Sequence, residues 1–197
     1  MNMDKMDITM ARKNNMNILL ILVFILIVVI SMDVSSSCLQ ILVINFQSLY
    51  GKRASFWKLL EKVQPDVVLG NETWMNATMT DGEMLPPTYR FAARRDRPEN
   101  PHGGVVIVTK STLQTSEIQV SGDTELVAAS IETRTKPVIV CSLYRPPDNN
   151  TDYSDRMCTA IAAIHAKHKR QVIWIGGDAN LPDICWENET VTGHSYV

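Results

Sequence analysis

Residues 172–180 read Val-Ile-Trp-Ile-Gly-Gly-Asp-Ala-Asn. An apolar run of strand length passes into two glycines, then into an acid and an amide. Three other stretches repeat the plan. Ile41-Leu-Val-Ile-Asn45, Asp66-Val-Val-Leu-Gly-Asn-Glu72 and Val138-Ile-Val-Cys-Ser-Leu-Tyr144 each carry an Ile/Val-rich run into a polar side chain. Short, continuous apolar runs rich in β-branched residues predict strands buried on both faces. If these strands are neighbours in one sheet, their polar ends collect along one rim. Ligands of layered α/β folds bind at such strand ends.

Two stretches between the strands carry helical spacing. Phe56, Leu59, Leu60 and Val63 fall at i, i+3, i+4 and i+7, which predicts a helix over 52–64, stopped before Pro65. Met157, Ile161, Ile164 and His168 predict a second helix over 153–168. A strand from Val105 to Val108 is entered through Gly103 and Gly104. Glu117 to Val120 and Leu126 to Ile131 read as a hairpin turning at Ser121-Gly122-Asp123. The stretch around Pro86 and Pro87 reads as a long loop. Strands mixed with helices, several joined without one, predict a layered α/β sandwich.

Composition bounds the function. The 197 residues are 45% apolar and 20% charged, ordinary values that exclude wholesale disorder and low complexity. Lys plus Arg is 19 against 21 acids, a net charge of −2. No global field exists to hold nucleic acid or an anionic membrane, so such contacts must rest on local patches. Arg90, Arg94, Arg95 and Arg97 form one; Lys167 to Arg170 form another. Cys38, Cys141, Cys158 and Cys185 match no zinc or redox spacing.

The chain divides at about residue 38. Residues 1–17 are polar. Residues 18–34 hold an uncharged apolar run, Ile18 to Met32, of signal-peptide or short-anchor length. Ser35 and Ser37 would suit a cleavage before Cys38. This segment predicts membrane association or secretion, with a domain over 39–197 behind it. Four sequons, at Asn71, Asn76, Asn149 and Asn188, become relevant if the chain enters the secretory route.

The rim set offers two carboxylates, Glu72 and Asp178, two amides, Asn45 and Asn180, and the Tyr144 phenol. It holds no His or Cys. Hard oxygen donors suit Mg²⁺ or Mn²⁺ rather than Zn²⁺. Mg²⁺ commonly uses one or two carboxylates and takes further ligands from a phosphate, so phosphate-ester hydrolysis is the reaction class indicated. Each residue alone has a plainer reading as a turn former or solvated acid. The set carries the argument, together with Gly176-Gly177, where the backbone allows close approach.

In order along the chain come Asn45 with Ser48, Pro65-Asp66-Val-Val with Glu72-Thr73-Trp74, Gly103-Gly104-Val105, Tyr144-Arg145-Pro146-Pro147, and Gly177-Asp178-Ala179-Asn180-Leu181-Pro182. This series resembles the endonuclease/exonuclease/phosphatase superfamily. Asn-x-x-Ser, Glu-Thr-Trp and the tail from Asn180 to Trp186 are most similar to the endonuclease domain of non-LTR retrotransposon polyproteins. The resemblance runs from Leu39 to about Trp186. It implies a four-layered α/β sandwich, incomplete at its C-terminus, and metal-dependent cleavage of DNA. By motif match Glu72 would hold Mg²⁺ (or Mn²⁺) with support from Asn45. Tyr144 would contact the scissile phosphate, Asp178 would orient the attacking water, and Asn180 would hydrogen-bond the phosphate. Arg94, Arg95, Arg97 and Arg145 are the candidate nucleic-acid contacts.

The family also implies a second acid and a terminal Ser-Asp-His further on, which this sequence lacks. His102, His165, His168 and His194 do not match that pattern. A general acid–base group contributes roughly 10²–10⁴ in rate, so weak or absent catalysis is the expectation. The alternatives are a non-catalytic remnant and a membrane-tethered or secreted phosphoesterase of the same superfamily. Without the leader, a nuclear location is expected. No protein partner is indicated.

Overall fold

Two antiparallel strands, β1 (Val28–Val34) and β2 (Ser37–Asn45), come first, with Asp33 opposite Cys38. The computed structural model describes residues 28–34, 37–98, 102–147, 151–181, 184–185 and 190–191. In chain order there follow α1 (Arg53–Val63), β3 (Val67–Asn71), α2 (Asp81–Met84), β4 (Tyr89–Arg95), β5 (Val105–Lys110), β6 (Thr115–Ile118), β7 (Leu126–Ile131), β8 (Val138–Tyr144), α3 (Thr151–Lys167), β9 (Val172–Asp178), β10 (Ile184–Cys185) and β11 (Thr190–Val191).

β1 alters the reading of the hydrophobic segment. Val28–Val34 is a sheet strand, not the end of a spanning helix. Its β-branched residues favour strands, and β2 supplies the partner. A cleavage before Cys38 would separate β1 from β2. Residues 1–17 and 18–27 lie outside the described residues. Among the described residues, no helix is long and apolar enough to cross a membrane.

The strands form a five-stranded sheet, order β1-β2-β3-β5-β4, and a four-stranded sheet, order β6-β7-β8-β9; β10 and β11 pair separately. Each large sheet is mixed. β2 runs parallel to β3, and β8 runs parallel to β9; the other pairs are antiparallel.

Alternation along the strands builds three apolar layers. Leu42, Ile44, Val106 and Val108 face α1 and α2, packing with Phe56, Leu60 and Met84. Ile41, Val67, Leu69, Val105 and Ile107 point the other way, against Val127, Ala129, Ile131, Val138 and Val140 of the second sheet. The far face of that sheet, Leu126, Ala128, Ile139 and Cys141, packs on Met157, Ala160 and Ile164 of α3. The order is helix, sheet, sheet, helix, the four-layered α/β sandwich.

β4 lies where the sequence predicts a loop, over residues 89–95. It is the outer strand beside β5, with a bulge between Phe91 and Ala93. The bulge interrupts the alternation, and Arg90, Arg94 and Arg95 occupy its less buried positions. α1 ends as expected. Gln64 adopts a left-handed φ of 50°, its N–H donates to Leu60 O at 2.8 Å, and Pro65 follows.

Candidate active site

Two parallel pairs deliver the site. The β2–β3 register places Asn45 beside Asn71, and the β8–β9 register places Tyr144 beside Asp178. All four lie at the carboxyl ends of their strands. Packing of the two sheets brings these ends together. The Asn45 amide nitrogen donates to Glu72 Oε1 and to Asp178 Oδ2, each at 3.2 Å. One side chain of the first sheet thus brackets a carboxylate from each sheet, across 133 positions of sequence in the Asp178 case. Asn45 Oδ1 accepts the Gln47 N–H at 3.2 Å.

Asn71 completes the bridge. Its side-chain nitrogen donates to Ile44 O at 2.8 Å, and its oxygen accepts the Asp178 N–H at 2.9 Å. Ser142 Oγ donates to Gly70 O at 3.0 Å, a second buried link between the sheets. Asn71 is 1% exposed, so a glycan at this sequon is incompatible with the fold. The sequon at Asn76 is exposed; Asn149 and Asn188 lie outside the described residues.

Tyr144 is nearly buried and its O–H faces Glu72. Burial first, then the Glu72 carboxylate, with Asp178 and Glu125 beyond, pushes the phenol well above its usual range. It stays a neutral hydrogen-bond donor. Lys52 Nζ donates to Phe46 O at 2.7 Å. Burial lowers this ammonium, while the Glu72 carboxylate pulls it back up.

Backbone strain is concentrated here. Gln47, Ser48, Glu72, Trp74 and Asn180 all hold positive φ, at 42°, 82°, 51°, 53° and 44°. Left-handed backbone at non-glycine residues costs of order 1–3 kcal/mol each and collects at functional sites. Gln64, at the end of α1, is the other such residue among those described. Gly177 shows how tightly the second strand end is built. A Cβ there, at φ 144°, would fall 1.9 Å from Leu143 O.

The arginines have protein partners. Arg145, 5% exposed, donates its Nε to Ser154 Oγ and its Nη1 to Asn180 O, both at 2.9 Å. Its N–H donates to Asp178 O, and its own carbonyl accepts from Asn180 Nδ2 at 2.7 Å. Arg145 is therefore a buried clamp on the Asp178–Asn180 turn, not the free phosphate contact expected from the sequence. Arg94 binds the Asp96 carboxylate and the carbonyls of Met79 and Asn76. Arg95 binds the carbonyls of Gly122, Thr124 and Val120, and Arg97 pairs with Glu125. The basic loop of the sequence reading is an edge strand whose guanidinium groups tie neighbouring turns.

Sequence reasoning brought together Asn45, Glu72, Tyr144, Asp178 and Asn180, and the structure does the same. It missed Asn71, Lys52 and Glu125. Asn71 was visible only as a sequon, although it ends β3. Glu125 carried a weak signal, an acid opening an apolar strand. It is 5% exposed, receives the Gly104 N–H, and its own N–H donates to Tyr153 Oη at 2.7 Å. The chain thereby locks Gly103-Gly104, whose carbonyls accept the N–H groups of Trp74 and Thr73 beside Glu72.

The profile of the endonuclease/exonuclease/phosphatase family matches residues 43–196. This chain belongs to that family. Its fold superposes on the endonuclease domain of TRAS1, a telomere-specific non-LTR retrotransposon, with a TM-score of 0.58 at 18% identity. That match covers 74% of this chain and 61% of the TRAS1 domain. The human Nocturnin catalytic domain with bound sulfate gives 0.59 at 11% identity, over 77% of this chain and 67% of that one. The 3′ phosphatase NExo from Neisseria, bound to product DNA hairpin, gives 0.57 at 17%, over 73% and 58%. At such identities the likeness establishes the family fold. The chain spans less than two thirds of the TRAS1 and NExo chains. No curated protein matches it.

The donor set fits a hard divalent cation. The Glu72 and Asp178 carboxylates converge on the Asn45 amide nitrogen, which hydrogen-bonds both and would stand beside a cation rather than ligate it, and no His or Cys belongs to this hydrogen-bonded set. Bringing two carboxylates onto one amide leaves negative charge that a cation would neutralise. Among the described residues no three His, Cys, Asp or Glu side chains cluster tightly enough to enclose a metal by themselves.

Proposed function

We propose that this chain is a divalent-metal-dependent phosphodiesterase acting on DNA, of the retrotransposon endonuclease branch. The observation that carries the reading is the Asn45 bracket, which joins Glu72 and Asp178 across two sheets. The TRAS1 fold likeness and the DNA in the NExo structure support the substrate class. The sulfate in the Nocturnin structure supports an anionic tetrahedral group.

Glu72, with Asn45 beside it, would hold Mg²⁺ or Mn²⁺, which supplies neutralising charge at the phosphate. The residues then divide the remaining tasks. Asp178 has one oxygen on Asn45 Nδ2 and the other on the Asn180 N–H at 3.2 Å, so its carboxylate is aimed before substrate arrives. It orients the attacking water and accepts its proton. Tyr144, kept neutral, holds its O–H toward Glu72 and would turn it to a phosphate oxygen when substrate binds. Asn180 Nδ2 already donates to Arg145 O, and its second N–H is available to the phosphate.

The hydrogen-bonded set contains no imidazole. His102 packs on the Trp74 ring, His165 lies on α3, His168 contacts Gln171, and His194 lies outside the described residues. The proposed place of action is the nucleus, where a retroelement endonuclease meets DNA.

The test is supercoiled-plasmid nicking by the full chain with Mg²⁺ or Mn²⁺, alongside Glu72→Gln and Asp178→Asn. Each variant should lose at least about 10²-fold in rate. Undiminished nicking by either variant would remove the bracket from the mechanism. No nicking by folded wild-type protein would leave the non-catalytic remnant as the correct reading.

A further inference from the structure

Trp74 stands two residues from Glu72 and is not explained by packing. A Trp kept for structural reasons normally satisfies its indole N–H. Trp57 does so, donating Nε1 to Met84 O at 2.8 Å. Trp74 Nε1 is buried without a partner, and its backbone is held at φ 53°. That strain is sustained by its own N–H, which donates to Gly103 O at 3.0 Å. Gly103 is in turn fixed by the Glu125–Arg97 pair; a Cβ at Gly103 would strike both side chains. The fold thus holds an aromatic ring beside a metal-binding candidate without using its polar atom.

The ring does not stand alone. His102 meets it edge-to-face with centroids 4.5 Å apart, and His102 is exposed. Together they make an aromatic ledge that is partly open to solvent. Two residues span at most about 7 Å, so the backbone that carries the ledge lies within roughly one nucleotide of the Glu72 backbone. Aromatic side chains in that position stack on bases, and stacking tolerates any base because every base has a π-face.

We infer that Trp74, supported by His102, is a stacking subsite for an unpaired nucleobase next to the phosphate bound at Glu72. The inference rests on the DNA reading above and adds to it a preference for an unstacked or splayed base. It makes the site read bases as well as backbone, although Arg94, Arg95, Arg97 and Arg145 are held by protein partners.

The experiment compares two probes on the full chain with Ca²⁺ in place of Mg²⁺, so that a cation remains to hold the phosphate while cleavage is held back. One is a 20-mer of thymidine; the other is a 20-mer of abasic deoxyribose phosphate with the same charge. Binding is read by fluorescence anisotropy of an end label for wild type, Trp74→Ala and Trp74→Phe. Wild type should bind the thymidine probe about tenfold more tightly, Trp74→Ala should lose that preference with abasic binding unchanged, and Trp74→Phe should keep most of it. Equal wild-type affinity for the two probes overturns the subsite. So does a Trp74→Ala loss that is equal on both probes, which would mark a structural role. No binding of either probe by wild type overturns the DNA reading itself, and the subsite with it.

Discussion

The two parallel strand pairs do the same job in different surroundings. β2 and β3 end in Asn45 and Asn71; β8 and β9 end in Tyr144 and Asp178. β3 lies inside its sheet and is buried at every position. β9 is the outer strand of its sheet among the described residues, with Val172 52% and Ile175 43% exposed. Glu72 is thus anchored by apolar burial on both faces of its strand. Asp178 is anchored by polar bonds, from Asn71, Asn45 and the Arg145 turn. A strand end can be positioned by either means, but the second is local and depends on a few atoms.

That difference has measurable consequences. Gly177→Ala should be the most damaging, costing about 4 kcal/mol in urea unfolding, because the new Cβ meets backbone at Leu143 O that cannot move aside. Gly70→Ala in β3 meets side chains rather than backbone, the buried Phe46 ring at 2.3 Å and Val106 Cγ2 at 3.0 Å. It should cost less, about 1–3 kcal/mol. Leu69→Ala, at a residue 2% exposed, should cost about 3 kcal/mol. If Ile175→Ala matches it, β9 is held by apolar burial after all; the expected cost there is below about 1 kcal/mol.

Glu125→Gln removes the charge that pairs with Arg97 and receives the Gly104 N–H. About 2 kcal/mol of stability should be lost, together with part of the nicking rate, since Glu72 is held through Thr73 and Gly104.

The pH dependence belongs to the second sheet, and it is small until pH rises past about 9. Burial pushes the Cys141 thiol up to about 12 from 9.0. The folded chain keeps this proton while the unfolded chain releases it. Stability is therefore level below about pH 9 and falls as pH rises through the window to about 12. The slope is about 1.4 kcal/mol per unit. Tyr144, also raised, steepens the loss above about pH 10. Cys141→Ala should flatten the first part of this curve in denaturant titrations at pH 8 to 10. An unchanged slope would assign the alkaline loss elsewhere.

Much of this molecule could be read from the chain itself. Runs of Val and Ile predict buried strands because branched side chains fill both faces of a covered sheet. Phe56, Leu59, Leu60 and Val63 predict α1 because their spacing makes one apolar stripe. The polar residues closing four strands predict a rim, and the rim is present. All of these are local patterns with a fixed physical period.

The remainder depended on contacts between distant segments. The hydrophobic stretch at Val28–Val34 satisfies equally the composition of a membrane anchor and of a strand. Its pairing with β2 as a strand is visible only in the fold. Charge alone does not show whether an arginine meets solvent or a carbonyl; the packing of β4 and of the Tyr144–Arg145 turn decides that. Asn71 carried a sequon in the sequence and became a buried bridge to Asp178 only when the two sheets met. Short-range periodicity sets which segments are strands and helices. Which polar groups find one another across 133 positions is a property of the packed sheets, because a hydrogen bond needs atoms within about 3 Å whatever lies between them in the chain.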